Sequence, residues 1–207
     1  MISFSAAVVA VCLVLFGIVN IDNLLRYRAG FSAESKRPEI EKSIAFPLLL
    51  IGIGTVAFFL ESFFYVLLGF SYEPVPLPAY LDFRSTQLEF FGLFVMALGY
   101  VIFIWSVIAR GRYATTWQMP ADHKLVDWGP YRYVRHPSYL GYFLMFIGFA
   151  LLWHNALALV PLIAISGYVL ITFREEEMLE ARFREEYLQY RKHTGRFLPK
   201  IPLTKSR

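Results

Sequence analysis

The chain has 207 residues, 57% of them apolar, 18% aromatic and only 17% charged, with a formal net charge of +4. The apolar share exceeds the roughly 45–50% usual in soluble domains, which excludes an ordinary water-soluble enzyme and makes the bilayer the first partner. A charge of +4 calls for no nucleic acid, because cations at a membrane surface meet anionic head groups.

Five membrane segments are predicted, in chain order Ile2–Ile21, Ile44–Phe70, Leu88–Ala109, Tyr139–Trp153 and Asn155–Phe173. No Lys or Arg precedes the first, so it reads as a retained span, not a signal peptide. Its Cys12 is the one cysteine of the chain and has no internal disulfide partner. The second span carries Gly52-Ile53-Gly54, a small-residue string suited to helix packing, and Glu61, which is expected at the outer interface. The loop 71–87 is acidic and proline-rich and is assigned no chemistry. At fifteen residues the fourth span reaches only about 22 Å as a helix. It must therefore tilt or form half of a tight helical hairpin with the fifth, bending at His154-Asn155. The expected fold is all-α: one membrane domain over 1–207, with three spans in 1–109. The remainder, 110–207, supplies a cytoplasmic loop, the hairpin and an amphipathic carboxy-terminal helix.

Nineteen of the twenty Lys and Arg residues fall in 22–43, 110–137 and the tail from Arg174, and one, Arg84, falls in 71–87. With five spans this asymmetry puts the amino terminus outside and the working face in the cytoplasm. Polar chemistry gathers there in two stretches, 110–139 and 174–202, which flank the hairpin and must meet if it forms. Glu175-Glu176-Glu177 sit at the membrane edge, where a carboxylate is costly unless paired or wetted, so at least one is expected to face a polar cavity. Leu179, Phe183, Tyr187 and Tyr190 form one apolar stripe, Gly195 is the expected stop, and the distal half, 180–192, is expected to lie on the bilayer surface. The histidines, His123, His136, His154 and His193, pair with nothing at zinc-like spacing, so no metal is expected.

Arg135-His136-Pro137-Ser138-Tyr139-Leu140-Gly141, a hairpin, Glu175-Glu176-Glu177-Met178-Leu179 and Tyr187-Leu188-Gln189-Tyr190 together resemble the isoprenylcysteine carboxyl methyltransferase family, in a prokaryotic, archaeal type of member. The pattern is RHPxYxG, EExxL and YxxY, and it covers about 118–202. The resemblance implies an integral membrane enzyme that uses S-adenosylmethionine, yields S-adenosylhomocysteine, and methylates a carboxylate on a lipophilic, prenylcysteine-like acceptor. It further implies that Gln118, His123, Lys124, Leu125, Val126, Tyr131, His136, Pro137, Ser138, Tyr139 and Glu175 line the cofactor. Arg174 and Glu175 are the implied catalytic pair, with Arg174 orienting the acceptor. Two positions depart from the family pattern: Ile171 stands where relatives often carry Arg, and the hairpin turn is Asn155-Ala156 where they often have Asn-Pro.

The chemistry suits these residue types. Aromatic faces such as Tyr131 and Tyr139 attract a sulfonium, and a carboxylate acceptor needs no strong base because its pKa near 4 leaves it ionised at neutral pH. The alternatives are a phospholipid N-methyltransferase, a sterol-type reductase that binds a nicotinamide cofactor, and, from another class, a transporter or non-catalytic scaffold with a polar path at Glu61 and Asn20.

Overall fold

The computed structural model describes residues 3–29, 42–69, 85–111, 113 and 123–200. They form α1 (Phe4–Ala29), α2 (Lys42–Leu68), α3 (Thr86–Arg110), α4 (Pro137–Trp153), α5 (Ile163–Phe183) and α6 (Glu185–His193), with short 3-10 helices at Gly129–Arg132 and Ala156–Leu162. Among the described residues there is no strand, only an isolated bridge between Val134 and Gly195. The protein is an all-α, multi-pass integral membrane protein. Phe4–Leu25, Ile44–Leu68, Thr86–Arg110 and Ala156–Phe183 are each long and apolar enough to cross a bilayer, and the shorter apolar helix Pro137–Trp153 completes the five.

The spans run further than their apolar runs suggest. α1 continues eight residues past Ile21, and the fifth span carries its glutamates inside α5. α3 shows how one helix faces two environments: Phe94, Val101 and Ile108, seven residues apart, are 64%, 61% and 67% exposed, whereas Met96, Tyr100, Phe103 and Val107 are buried. The exposed stripe meets lipid tails and the buried one meets protein.

Close helix approach rests on glycines. A methyl group at Gly99 would stand 2.6 Å from the Gly141 carbonyl oxygen, and one at Gly92 would stand 2.7 Å from that of Gly148, so two glycines spaced by seven on α3 face two so spaced on α4. A second contact of this kind joins α2 to the fifth span, where Gly54 lies against Ala164 and Pro161 and Gly167 lies against Pro47 and Ile51. Packing is thus the role of Gly54, whereas Gly52 has nothing within 4 Å of its Cβ direction.

α4 and α5 form the expected hairpin. His154 takes the left-handed conformation (φ 49°), and the Asn155 side chain accepts a 2.9 Å hydrogen bond from the Leu157 amide, capping the 3-10 helix that follows. The two partners lie mainly against other helices, α4 along α3 and α5 along α2. They touch through Tyr168, whose ring lies 4.7 Å from that of Tyr139 and 5.2 Å from that of Tyr142.

The carboxy-terminal helix corrects one expectation. α5 and α6 are separated at Arg184, whose φ of 48° breaks the helix. The break turns α6 inward: Tyr187 is fully buried and Tyr190 reaches the loop before α4, so residues 180–192 are not a helix merely resting on the bilayer. The bend changes the direction of the stripe, which a straight periodicity cannot reveal.

Candidate functional site

His136 bonds the tail before α4 begins. Its amide donates to the Arg196 carbonyl at 3.1 Å, and the Arg135 amide donates to the Gly195 carbonyl at 2.8 Å. Pro137 then opens α4 at a position where a missing N–H costs nothing, and it is itself buried. The two polar stretches therefore meet, as the hairpin requires.

Their centre is the acidic pair on α5. Glu176 accepts from Arg135 Nε at 3.0 Å and from Arg196 at 3.0 Å (Nε) and 2.8 Å (Nη2), while His136 Nε2 lies 3.2 Å away. The side chains of Arg135 and Glu176 are 8% and 6% exposed, and a buried carboxylate is tolerable only with such a complement of donors. Arg196 is raised above its ordinary range by its hydrogen bonds to Glu176 and caps the Phe173 ring at 4.2 Å. Burial likewise pushes the Tyr187 and Tyr190 phenols up, so both remain neutral.

Glu175 points the other way. Tyr139 Oη donates to its Oε1 at 2.7 Å, His136 Nδ1 stands 3.5 Å from Oε2, and the His136 and Tyr139 rings are parallel to within 4° at 5.6 Å. His136 thus spans both glutamates. Glu175 lines an open chamber of about 880 Å³, counting its mouth, together with His123, Lys124, Leu125, Val126, Tyr131, His136, Ser138 and Tyr139. The wall is braced from behind: Ser138 Oγ is 2.8 Å from Ser106 Oγ on α3, Tyr190 Oη donates to the Tyr131 carbonyl at 2.7 Å, and Trp128 Nε1 donates to the Ala109 carbonyl at 2.7 Å.

Nine of the residues expected at the cofactor therefore share one chamber. Pro137 does not line it and serves the start of α4, and Gln118 lies outside the described residues. Arg174 is not brought to the chamber: its side chain is 44% exposed and donates to Glu177 at 2.7 Å. Arg110, Tyr113, Arg135, Leu179 and Tyr190 also line the chamber, and Glu176 organises its rear; sequence reasoning assigned none of them a role there. Arg135 and Tyr190 stood within the RHPxYxG and YxxY patterns and could have been drawn from them. Arg110 looked like any cation closing a span.

The chamber suits S-adenosylmethionine in the chemistry of its lining. It offers aromatic faces at Tyr131 and Tyr139, a carboxylate at Glu175 for hydroxyl or ammonium donors, and apolar walls at Leu125 and Val126. Among the described residues no group of His, Cys, Asp or Glu could hold a metal ion.

The phospholipid methyltransferase family model matches residues 88–186. Two protein-S-isoprenylcysteine O-methyltransferases are similar: that of Tribolium castaneum is 31% identical over 116 residues, covering 53% of this chain and 41% of its own length. That of Xenopus laevis is 33% identical over 134 residues, covering 59% and 44%. The chain thus spans less than half the length of these curated relatives. A solved structure of the eukaryotic intramembrane Ras methyltransferase ICMT is 26% identical, with a TM-score of 0.49, covering 79% of this chain and 54% of its own. The region matched by the phospholipid methyltransferase model contains the loop before α4, the hairpin and the acidic pair, and the chain is similar to protein-S-isoprenylcysteine O-methyltransferases over 53–59% of its length.

Proposed function

We propose that the protein is an S-adenosylmethionine-dependent carboxyl O-methyltransferase acting on a lipophilic, prenylcysteine-like acceptor. The observation that carries this reading is the Tyr139–Glu175–His136 clamp, which lines one chamber with residues 123–126 at an end of the membrane helices. The curated relatives, named for methylation of S-isoprenylcysteine in proteins, support the acceptor class.

When bound, S-adenosylmethionine supplies a sulfonium methyl group, which a carboxylate oxygen takes directly while the electrons of the broken bond return to sulfur. Tyr139 holds Glu175 in place, and Glu175 would accept from hydroxyl or ammonium groups of the bound cofactor. Leu125, which is 9% exposed, and Val126 would give the bound group apolar walls that limit its contact with water. Tyr131, Ser138, His123 and Lys124, which line the same chamber, would complete the binding set. No residue has to remove a proton, because a carboxylate acceptor arrives ionised. What the chain must provide is alignment.

The concentration of Lys and Arg in the segments next to the chamber supports a cytoplasmic active site and an external amino terminus. The cofactor then enters from water and the acceptor from the bilayer. The phospholipid methyltransferase match favours a second reading, N-methylation of an aminophospholipid. Methyl-labelled cofactor incubated with prenylcysteines, fatty acids and aminophospholipids separates the two. A base-labile product that releases volatile methanol marks a carboxyl ester, whereas base-stable label in phospholipid overturns the carboxylate reading.

A further inference from the structure

α3 ends on Arg110, a residue to which neither the resemblance nor the proposed mechanism gives a role. It lines the chamber beside Tyr139, His136 and Glu175. Its Nε is buried, and among the described residues no acceptor reaches it. An arginine that merely ends a membrane helix extends to the head groups and leaves its guanidinium in water. A buried guanidinium nitrogen without an acceptor is costly, so a site that keeps one is arranged for an acceptor that arrives from elsewhere.

The acids nearby are committed. Glu176 is held by Arg135, His136 and Arg196, and Glu175 by Tyr139 and His136. The other cations of the chamber differ from Arg110: Arg135 is bound to Glu176 and to the Thr194 carbonyl at 2.6 Å, and Lys124 is exposed. The charge of Arg110 also bears on the hydroxyls of Tyr139 and Tyr142, and Tyr142 sits one turn deeper along α4. The guanidinium therefore stands within electrostatic reach of two tyrosine hydroxyls of α4 at the chamber wall.

We propose that Arg110 binds the carboxylate of the methyl acceptor and holds it toward the chamber by paired hydrogen bonds. This rests on the carboxyl methyltransferase reading and deepens it. A planar fork matches a carboxylate, and its fixed charge repels an ammonium, so the same residue selects a carboxylate acceptor over an amine. It also supplies in this chain the cation that Ile171 does not provide on α5 and that Arg174, turned outward to Glu177, does not bring to the chamber.

The test uses the full chain in detergent saturated with S-adenosylhomocysteine, and two probes: a farnesyl thioether bearing a carboxylate and its primary amide. The wild type should bind the acid more tightly than the amide by about 30-fold, the scale of a charge-assisted pair. Arg110→Gln should bind the two within about 3-fold of each other, and Arg110→Lys, which keeps the charge but not the fork, should retain an intermediate preference of about 10-fold. Both variants should bind S-adenosylhomocysteine within about 3-fold of wild type, a control that also reports folding. The proposal is overturned if the wild type shows no acid preference, if either variant keeps it in full, or if cofactor affinity falls in parallel. An acid preference that depends on Arg110, in a protein that methylates no carboxylate, would sink the proposed reaction while leaving the acid site standing.

Discussion

Tyr139 Oη donates a 2.7 Å hydrogen bond to Glu175 Oε1, tying the first turn of α4 to α5 at the end of the hairpin where the chamber opens. The two residues are 36 positions apart in sequence, and the left-handed turn at His154 brings them together. Tyr139→Phe removes the donor and leaves the ring stacked on His136. It should weaken S-adenosylhomocysteine binding by about 3–10-fold, read by isothermal titration, with the melting temperature nearly unchanged.

The two glutamates should separate cleanly by mutation. Glu176→Gln strips the charge that Arg135, His136 and Arg196 share, and breaking a buried ion pair costs about 3–5 kcal/mol, so this variant should melt far below wild type whether or not ligand is present. Glu175→Gln should melt close to wild type without ligand and gain little or nothing from S-adenosylhomocysteine. Thermal unfolding with and without the ligand checks both. Equal destabilisation by the two substitutions would contradict the division of roles.

Glycine packing makes a sharper test of the helix contacts. Gly148→Ala puts a methyl group against the backbone of α3 at Gly92 and Met96 and should cost about 1–3 kcal/mol, whereas Gly52→Ala, with open space around it, should be neutral or slightly stabilising through helix propensity. At this chain length each kcal/mol moves the melting temperature by about 2–4 °C, so the difference is measurable in detergent.

Much of this was legible in the sequence because hydrophobic length and motif order are local signals. The spans, the bend at His154-Asn155 and the meeting of the two polar stretches all follow from them. Arg184 was not legible: a non-glycine residue with positive φ leaves no mark in a helical pattern, so the inward turn of α6 and the burial of Tyr187 were missed. Arg174 and Arg110 could not be ranked either. Both are cations near span ends, and only three-dimensional packing shows one facing Glu177 at the surface and the other facing the chamber.

That difference gives another expectation. Arg174→Ala should change the acceptor KM by less than about 3-fold, since its partner Glu177 is itself 63% exposed and an exposed pair contributes about 1 kcal/mol or less. A loss of acceptor affinity comparable to that of Arg110→Gln would return Arg174 to the site.

The central claim is that one chamber, walled by residues 123–139 and by Glu175, holds the methyl donor. It is tested most directly by calorimetric titration of the purified full chain in detergent with S-adenosylhomocysteine and, separately, with NADPH. Saturable binding of the first at one site per chain, lost in Glu175→Gln and His136→Ala, with no heat from the second, is the predicted result. Absence of S-adenosylhomocysteine binding by a folded wild-type protein, or binding untouched by both substitutions, would contradict the account.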